Sequence, residues 1–163
     1  PAVIAGQATV ALEMLNQSPE IDVIVAGIGG GGLISGVACA AKAIKPEIRI
    51  IGVEPVGAPT LKTSVTAAAV TTLKDIDTDA ITLAPKQSAK INVDLVSRLV
   101  DEIVLVDDSA MRKSARWLFD EMGIAAEMAG AASVAALARN ILSISKDENI
   151  AAIVCGRGFD CIA

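Results

Sequence analysis

Three features of the sequence predict an α/β protein of three layers, αβα, with a mostly parallel sheet and a single α/β domain over residues 1–163. Short β-branched apolar runs recur at residues 21–26, 48–53, 102–106 and 150–155, as expected of strands covered on both faces. Stretches of helical period separate them, so successive strands are joined by crossovers. Hydrophobic residues make up 53% of the chain and aromatic ones only 2%, which leaves Ala, Val, Ile and Leu to fill the core.

Each element has its own signal. Residues 3–15 place Ile4, Ala8, Ala11, Leu12 and Leu15 at helical spacing, and Asn16-Gln17-Ser18-Pro19 stops the helix. The first strand, residues 21–26, runs into a glycine-rich turn, and residues 33–44 form the crossover helix up to Lys45-Pro46-Glu47. The second strand, residues 48–53, ends at Glu54-Pro55 and completes a right-handed βαβ unit. Residues 58–70 predict a short helix, and residues 71–91, with Asp75, Asp77, Asp79 and Pro85, an irregular excursion of the length that often carries function. Helix returns over residues 93–100, and residues 102–106 are the third strand. Asp108 or Ser109 then caps a helix that runs through Met122 to Gly123. Residues 129–143 read as an alanine-rich helix and residues 150–155 as the last strand.

Composition excludes several chemistries. The net charge is -5 and no basic block is present, which argues against nucleic acid or an acidic lipid surface as a partner. The absence of histidine rules out a Ser-His-Asp triad, a histidine-dependent zinc site and a histidine general base within this chain. Cys39, Cys155 and Cys161 are odd in number and none forms a two-residue-spaced pair, so cysteine usage points to neither a disulfide framework nor a thiolate metal site. Residues 1–15 lack the basic start of a secretory signal, and a reducing, cytoplasmic setting is the expectation. The uncharged run over residues 23–41 has about the length of a bilayer span, but its centre is consecutive glycine, and a soluble βα unit explains it better.

The chemistry concentrates at Gly29-Gly30-Gly31-Gly32-Leu33. A strand, a glycine loop and a helix in succession bring unpaired N–H groups and the positive helix end to one place, which suits a phosphate. The residues alone leave its identity open. Gly27, Gly29 and Gly32 satisfy the G-x-G-x-x-G spacing, and Glu54 stands roughly twenty residues on, where a dinucleotide ribose is bound. A tight turn without any ligand fits the same glycines, and a non-catalytic interaction or regulatory domain is a third alternative.

Collinear segments add a resemblance. Residues 3–13, VIAGQATVALE, look like the V-I-A-G-Q-G-T-I-A-L-E segment of the threonine dehydratase and serine racemase family, fold-type II pyridoxal-phosphate enzymes. Residues 28–36 resemble that family's tetraglycine loop, residues 50–55 its next strand and residues 99–106 its L-V-D-E-I-V-L-V segment. Residues 127–131 resemble E-P-A-G-A, and Val154 through Asp160 resemble V-S-G-G-N-x-D. The order is unbroken along the chain.

The resemblance implies that backbone N–H groups of Gly29, Gly30, Gly31, Gly32 and Leu33 hold the phosphate of pyridoxal 5'-phosphate. It places Cys155 at the pyridine nitrogen and Glu127 at the cofactor's edge as the catalytic carboxylate. Some members bind a divalent cation, magnesium or calcium, beyond the second strand; Glu54 and the Ala58 carbonyl match two of its ligands, while Thr60 stands where an aspartate is expected. The implied reaction is dehydration and deamination of threonine or serine to a 2-oxo acid and ammonia, with serine racemisation as the variant. The family's lysine, in an S-x-K-x-R motif, has no counterpart here. The chain therefore resembles the C-terminal half of such an enzyme, with the missing N-terminal half and further copies of itself as expected partners and a small amino acid as substrate. Departures fall at Ala8, Met128 and Arg157-Gly158, and Arg157 would bring a long cation near the cofactor ring, where it either crowds the ring or swings to solvent.

Overall fold

The computed structural model describes residues 1–159 and 161. Among them, β1 (Val23–Gly27), β2 (Arg49–Pro55), β3 (Glu102–Val106) and β4 (Ile150–Ala152) form one sheet in the order β3-β2-β1-β4. All three pairings are parallel, with Val23 opposite both Arg49 and Ile150. The alternation of side chains explains why the strands read as unbroken apolar runs. Val23 and Val25 point into one core with Ile51 and Val53, whereas Ile24 and Ile50 point into the other.

Two helical layers enclose the sheet. On one face lie α1 (Ala2–Gln17), α2 (Gly32–Ile44), α3 (Thr60–Thr66) and α4 (Lys90–Leu99), packed through Ile34, Val37, Leu61, Val93 and Val96. On the other, α6 (Ala132–Ala138) lies on the strands through Ala132, Ala135 and Ala136, with α5 (Asp108–Met122) beside it. Alanine is the means of this close approach. The three-layer α/β expectation therefore holds.

The contact between α1 and α2 turns on Gly36. A Cβ there would stand 2.7 Å from the Ala8 nitrogen and would overlap the Ile4 carbonyl. Glycine to alanine inside a helix ordinarily gains about 1 kcal/mol, but overpacking against rigid backbone costs about 1–3 kcal/mol, so the clash decides the sign. Gly36→Ala is expected to lower the midpoint of thermal unfolding by several degrees. An unchanged or raised midpoint would show that α1 yields without cost.

Element boundaries depart from expectation where distant residues intervene. Asp107, not Asp108 or Ser109, caps α5: its carboxylate accepts the Ala110 N–H at 2.8 Å, while the Asp108 carboxylate accepts the Thr78 hydroxyl and the Asp79 N–H. Helix α4 starts at Lys90, earlier than expected, and α3 is shorter, ending before Ala68, whose φ is +50°. The predicted helix over residues 129–143 shrinks to α6. Its N-terminal side is held by the Glu127 N–H on the Gly156 carbonyl, and Asn140, at φ +50°, terminates it. Strand β4 ends at Ala152 rather than at Cys155. Ile153 still donates to Val25, but the chain then turns from β1 to pair with residues 125–127, where Ala126 bridges Arg157 antiparallel.

The excursion between α3 and α4 is irregular, as the sequence predicts, apart from a 3₁₀ turn at Ile81–Leu83. It is tied down along its length. The Asp77 N–H donates to Gly57, so close that Gly57 has no room for a Cβ, and the Thr60 hydroxyl donates to Pro85. No helix among the described residues is long and apolar enough to cross a membrane.

Candidate functional site

The strand order turns at β1: β2 and β3 lie to one side of it and β4 to the other. In open α/β sheets the crevice beyond the carboxyl ends of the strands at such a point is where ligands bind. Here β1 delivers the glycine loop to that crevice and β4 delivers Cys155. Together with Thr82, Leu83, Glu127 and Ala129 they line a cavity of about 240 Å³.

The loop owes its shape to four glycines used in different ways. Gly31, the residue before α2, has φ +89°, a left-handed value that favours glycine. A Cβ on Gly29 would come within 2.6 Å of the Thr82 carbonyl oxygen, so the 3₁₀ turn can close over the loop only if residue 29 has no side chain. At Gly32 a Cβ would press on Val3 at 3.1 Å. Around the Cβ position of Gly30, by contrast, nothing lies within 4 Å.

Among the described residues the loop's N–H groups have no protein acceptor. The first hydrogen bond of α2 runs from the Ser35 N–H to the Gly31 carbonyl, and the Ile28 N–H donates back to Val53. Between them, among the described residues, the N–H groups of Gly29, Gly30, Gly31, Gly32 and Leu33 have no acceptor. Converging amides at a helix N-terminus, beside open space at Gly30, make a cradle for a compact anion.

Cys155 and Glu127 line the same cavity. Desolvation of its sulfur, with Glu127's negative charge nearby, pushes the Cys155 thiol above its ordinary value, so it keeps its proton at neutral pH. The Thr82 hydroxyl donates to Glu127 Oε1 at 3.2 Å. Gly156 lies under the Glu127 carboxylate, and a Cβ there would collide with it. Arg157 is exposed and not among the residues lining the cavity: its guanidinium lies 5.3 Å from the centroid of the exposed Phe159 ring, a cation–π contact, which is the solvent-facing of its two expected placements. Asp160, the last residue of the terminal motif, lies outside the described residues.

Glu54 and Ala58 are not brought to this cavity. Glu54 is fully buried at the end of β2, and its two oxygens accept the Leu61 and Lys62 N–H groups at 2.7 and 2.9 Å. It does for α3 what the residue before that helix, Pro59, has no side-chain oxygen to do. The Ala58 carbonyl accepts the Thr60 N–H, and Thr60 donates its hydroxyl to Pro85. Among the described residues no group of three or more His, Cys, Asp or Glu side chains could hold a metal ion. This donor set does not fit a divalent cation, and a carboxylate committed to two buried amides does not fit a ribose hydroxyl either.

Sequence reasoning missed Thr82, Ser88 and Asn92. Ser88 Oγ and Asn92 Nδ2 both donate to the Gly30 carbonyl, at 2.8 and 2.6 Å. The only signal was a pair of polar residues where α4 begins, and no local pattern links them to a glycine some 60 positions earlier.

Comparison with known proteins gives consistent matches. The sequence profile of the family described as "Pyridoxal-phosphate dependent enzyme" matches residues 1–156. The chain is 35% identical over 160 residues to an L-threonine ammonia-lyase of Thermotoga maritima, covering 98% of this chain and 39% of that protein. It is 44% identical over 133 residues to a serine racemase of Oryza sativa subsp. indica, covering 82% of this chain and 39% of that protein. Among solved structures, maize serine racemase superposes with a TM-score of 0.88 at 40% identity, covering 94% of this chain and 49% of that one. Threonine deaminase isoform 2 of Solanum lycopersicum superposes with a TM-score of 0.90 at 34% identity, covering 96% and 46%. The chain thus spans half or less of the length of these relatives.

Proposed function

The chain belongs to the pyridoxal-phosphate dependent enzyme family, and on that premise we propose that its glycine loop holds the cofactor's phosphate in an ammonia-lyase acting on threonine or serine. The observation that carries the reading is the convergence, on one cavity, of five acceptor-free N–H groups with Cys155 and Glu127. The residues fit the group: a phosphate needs donors without competing acceptors and space for its oxygens, and the open position at Gly30 supplies that space.

When bound, pyridoxal phosphate supplies an electron-withdrawing ring that makes the α-proton of an amino acid acidic and lets a β-hydroxyl leave. The chain's own residues set the conditions. The N–H groups of Gly29 through Leu33 bind the phosphate and, with the α2 dipole, offset its charge. Cys155 keeps its proton, so it would offer the ring nitrogen a neutral thiol rather than a charged partner, a setting that suits β-elimination. Glu127, held by Thr82, positions the substrate and manages its protons at the rim.

No lysine is among the residues lining the cavity. We assign the base that removes the α-proton to the part of the fold that the longer relatives possess beyond the matched span. Association with that part and with further copies of the chain, in a cytoplasmic setting, belongs to the same reading. The 44% identity to a rice serine racemase supports a second one, racemisation of serine at the same site.

The test is titration of the chain with pyridoxal 5'-phosphate, followed by competition with inorganic phosphate. Binding that phosphate displaces is expected. No binding, or binding indifferent to phosphate, would count against the assignment and favour a non-catalytic role. Incubation with the cofactor and threonine or serine is expected to yield no 2-oxo acid, and turnover by this chain alone would overturn the placement of the base elsewhere.

A further inference from the structure

The peptide joining Gly30 to Gly31 is gripped through its carbonyl. Ser88, buried just before α4, and Asn92, in the first turn of α4, donate to the same oxygen at 2.8 and 2.6 Å, filling both its lone pairs. Asn92 is itself oriented. Ser35, fully buried in α2, donates to Asn92 Oδ1 in a long bond of 3.5 Å, which leaves the amide NH₂ facing Gly30. No residue of α4 lines the cavity, so this grip lies behind the site rather than in it.

Its consequence follows from peptide geometry. A trans peptide carries its C=O and N–H on opposite sides. With the carbonyl held against α4, the Gly31 N–H points away from α4, and Gly31 lines the cavity. A peptide between two glycines otherwise rotates easily, because neither neighbour has a Cβ to oppose the turn. A flipped peptide would present a carbonyl oxygen where an anion needs a donor, turning an attractive contact into a repulsive one.

We propose that Ser88 and Asn92 are positioning residues that fix the polarity of the anion cradle, so that the start of α4 sets the affinity for the phosphate group. The proposal rests on the phosphate-binding reading of the loop. It also gives the long excursion before α4 a role, since that segment delivers Ser88 to the back of the loop.

The test uses the full chain and three probes: inorganic phosphate, pyridoxal 5'-phosphate and pyridoxal, which lacks the phosphate. Calorimetric titration of Ser88→Ala and of the double variant Ser88→Ala, Asn92→Leu is expected to show phosphate and pyridoxal 5'-phosphate binding weakened about 3- to 10-fold in the single and more in the double variant, the size of one or two lost hydrogen bonds. Pyridoxal binding should not change, and Ser88→Thr, which keeps the hydroxyl, should restore phosphate affinity. A general loosening of the fold would weaken all three probes together, and that result would overturn the proposal. Where the double variant fails to fold, the comparison of Ser88→Ala with Ser88→Thr decides alone. Variants that bind phosphate as tightly as the parent overturn the grip and leave the loop's function intact. A parent chain that binds neither phosphate probe removes the phosphate-binding reading itself, and the proposal falls with it.

Discussion

Between about pH 4.5 and pH 7 the protein is expected to lose stability as the pH rises, and Glu54→Gln is expected to flatten most of that slope. Glu54 is fully buried, and burial raises its pKa from 4.5 to about 7 against the opposing effect of the Leu61 and Lys62 N–H groups. In that window the folded chain holds a proton that the unfolded chain has released, so folding is favoured on the acid side and the contribution fades as the pH passes the folded value. A shift of this size corresponds to about 3 kcal/mol. Carboxylates of the opposite kind act at lower pH. Asp22 and Glu148 are held below their ordinary values, chiefly by the Asn149 and Ser145 N–H groups, and their support is lost as the pH falls through those lowered values. Stability should therefore peak in mildly acidic solution. The measurement is the unfolding free energy of parent and variant across pH 4 to 8, with the difference between the two curves isolating Glu54. Parallel curves would show that Glu54 titrates in the fold as it does in the unfolded chain. The glutamine keeps only one oxygen for two buried amides, so a constant loss of about 1–3 kcal/mol is expected beneath the change in slope.

Gly31→Ala is expected to cost the protein either stability or its anion site, whereas Gly30→Ala should spare the first and impair the second. At Gly31 the left-handed backbone disfavours any L side chain by about 1–2 kcal/mol, and the new Cβ would stand 2.6 Å from Leu61 Cδ1 and 3.1 Å from Asn92 Cβ. If the loop keeps its shape, the strain and crowding together remove about 2–4 kcal/mol of stability. If it relaxes, the N–H groups leave their positions and phosphate affinity falls by at least tenfold. At Gly30 there is no left-handed angle and no neighbour within 4 Å, so alanine fits the fold, but its methyl enters the open space that the proposed phosphate would occupy. Thermal unfolding and phosphate titration of both variants separate the cases. A Gly31→Ala protein as stable and as avid as the parent would refute the assignment of the loop.

The contrast between these glycines shows what a motif conveys. Four glycines in a row announce a strand-to-helix turn whose backbone can approach an anion. They do not reveal that Gly31 serves by its backbone angle, Gly29 by yielding to the Thr82 carbonyl and Gly30 by leaving space. The same holds for Glu54. Its position at a strand end matched two different ligand roles, and the fold gives it a third, capping α3 from outside that helix.

What the residues determined unaided was local: the apolar runs of the four strands, the period of the helices, the glycine loop between β1 and α2, and a collinear order of segments sufficient to identify the family. Such signals survive in one dimension because they depend on neighbours within a few positions. The extent of α6, the early end of β4, the turn of Arg157 towards Phe159 and the two donors on the Gly30 carbonyl were decided only by tertiary structure. Each depends on a partner far along the chain or on a rotamer choice that local pattern leaves open. A buried polar group must find a partner wherever the fold brings one, and only the packed molecule determines which.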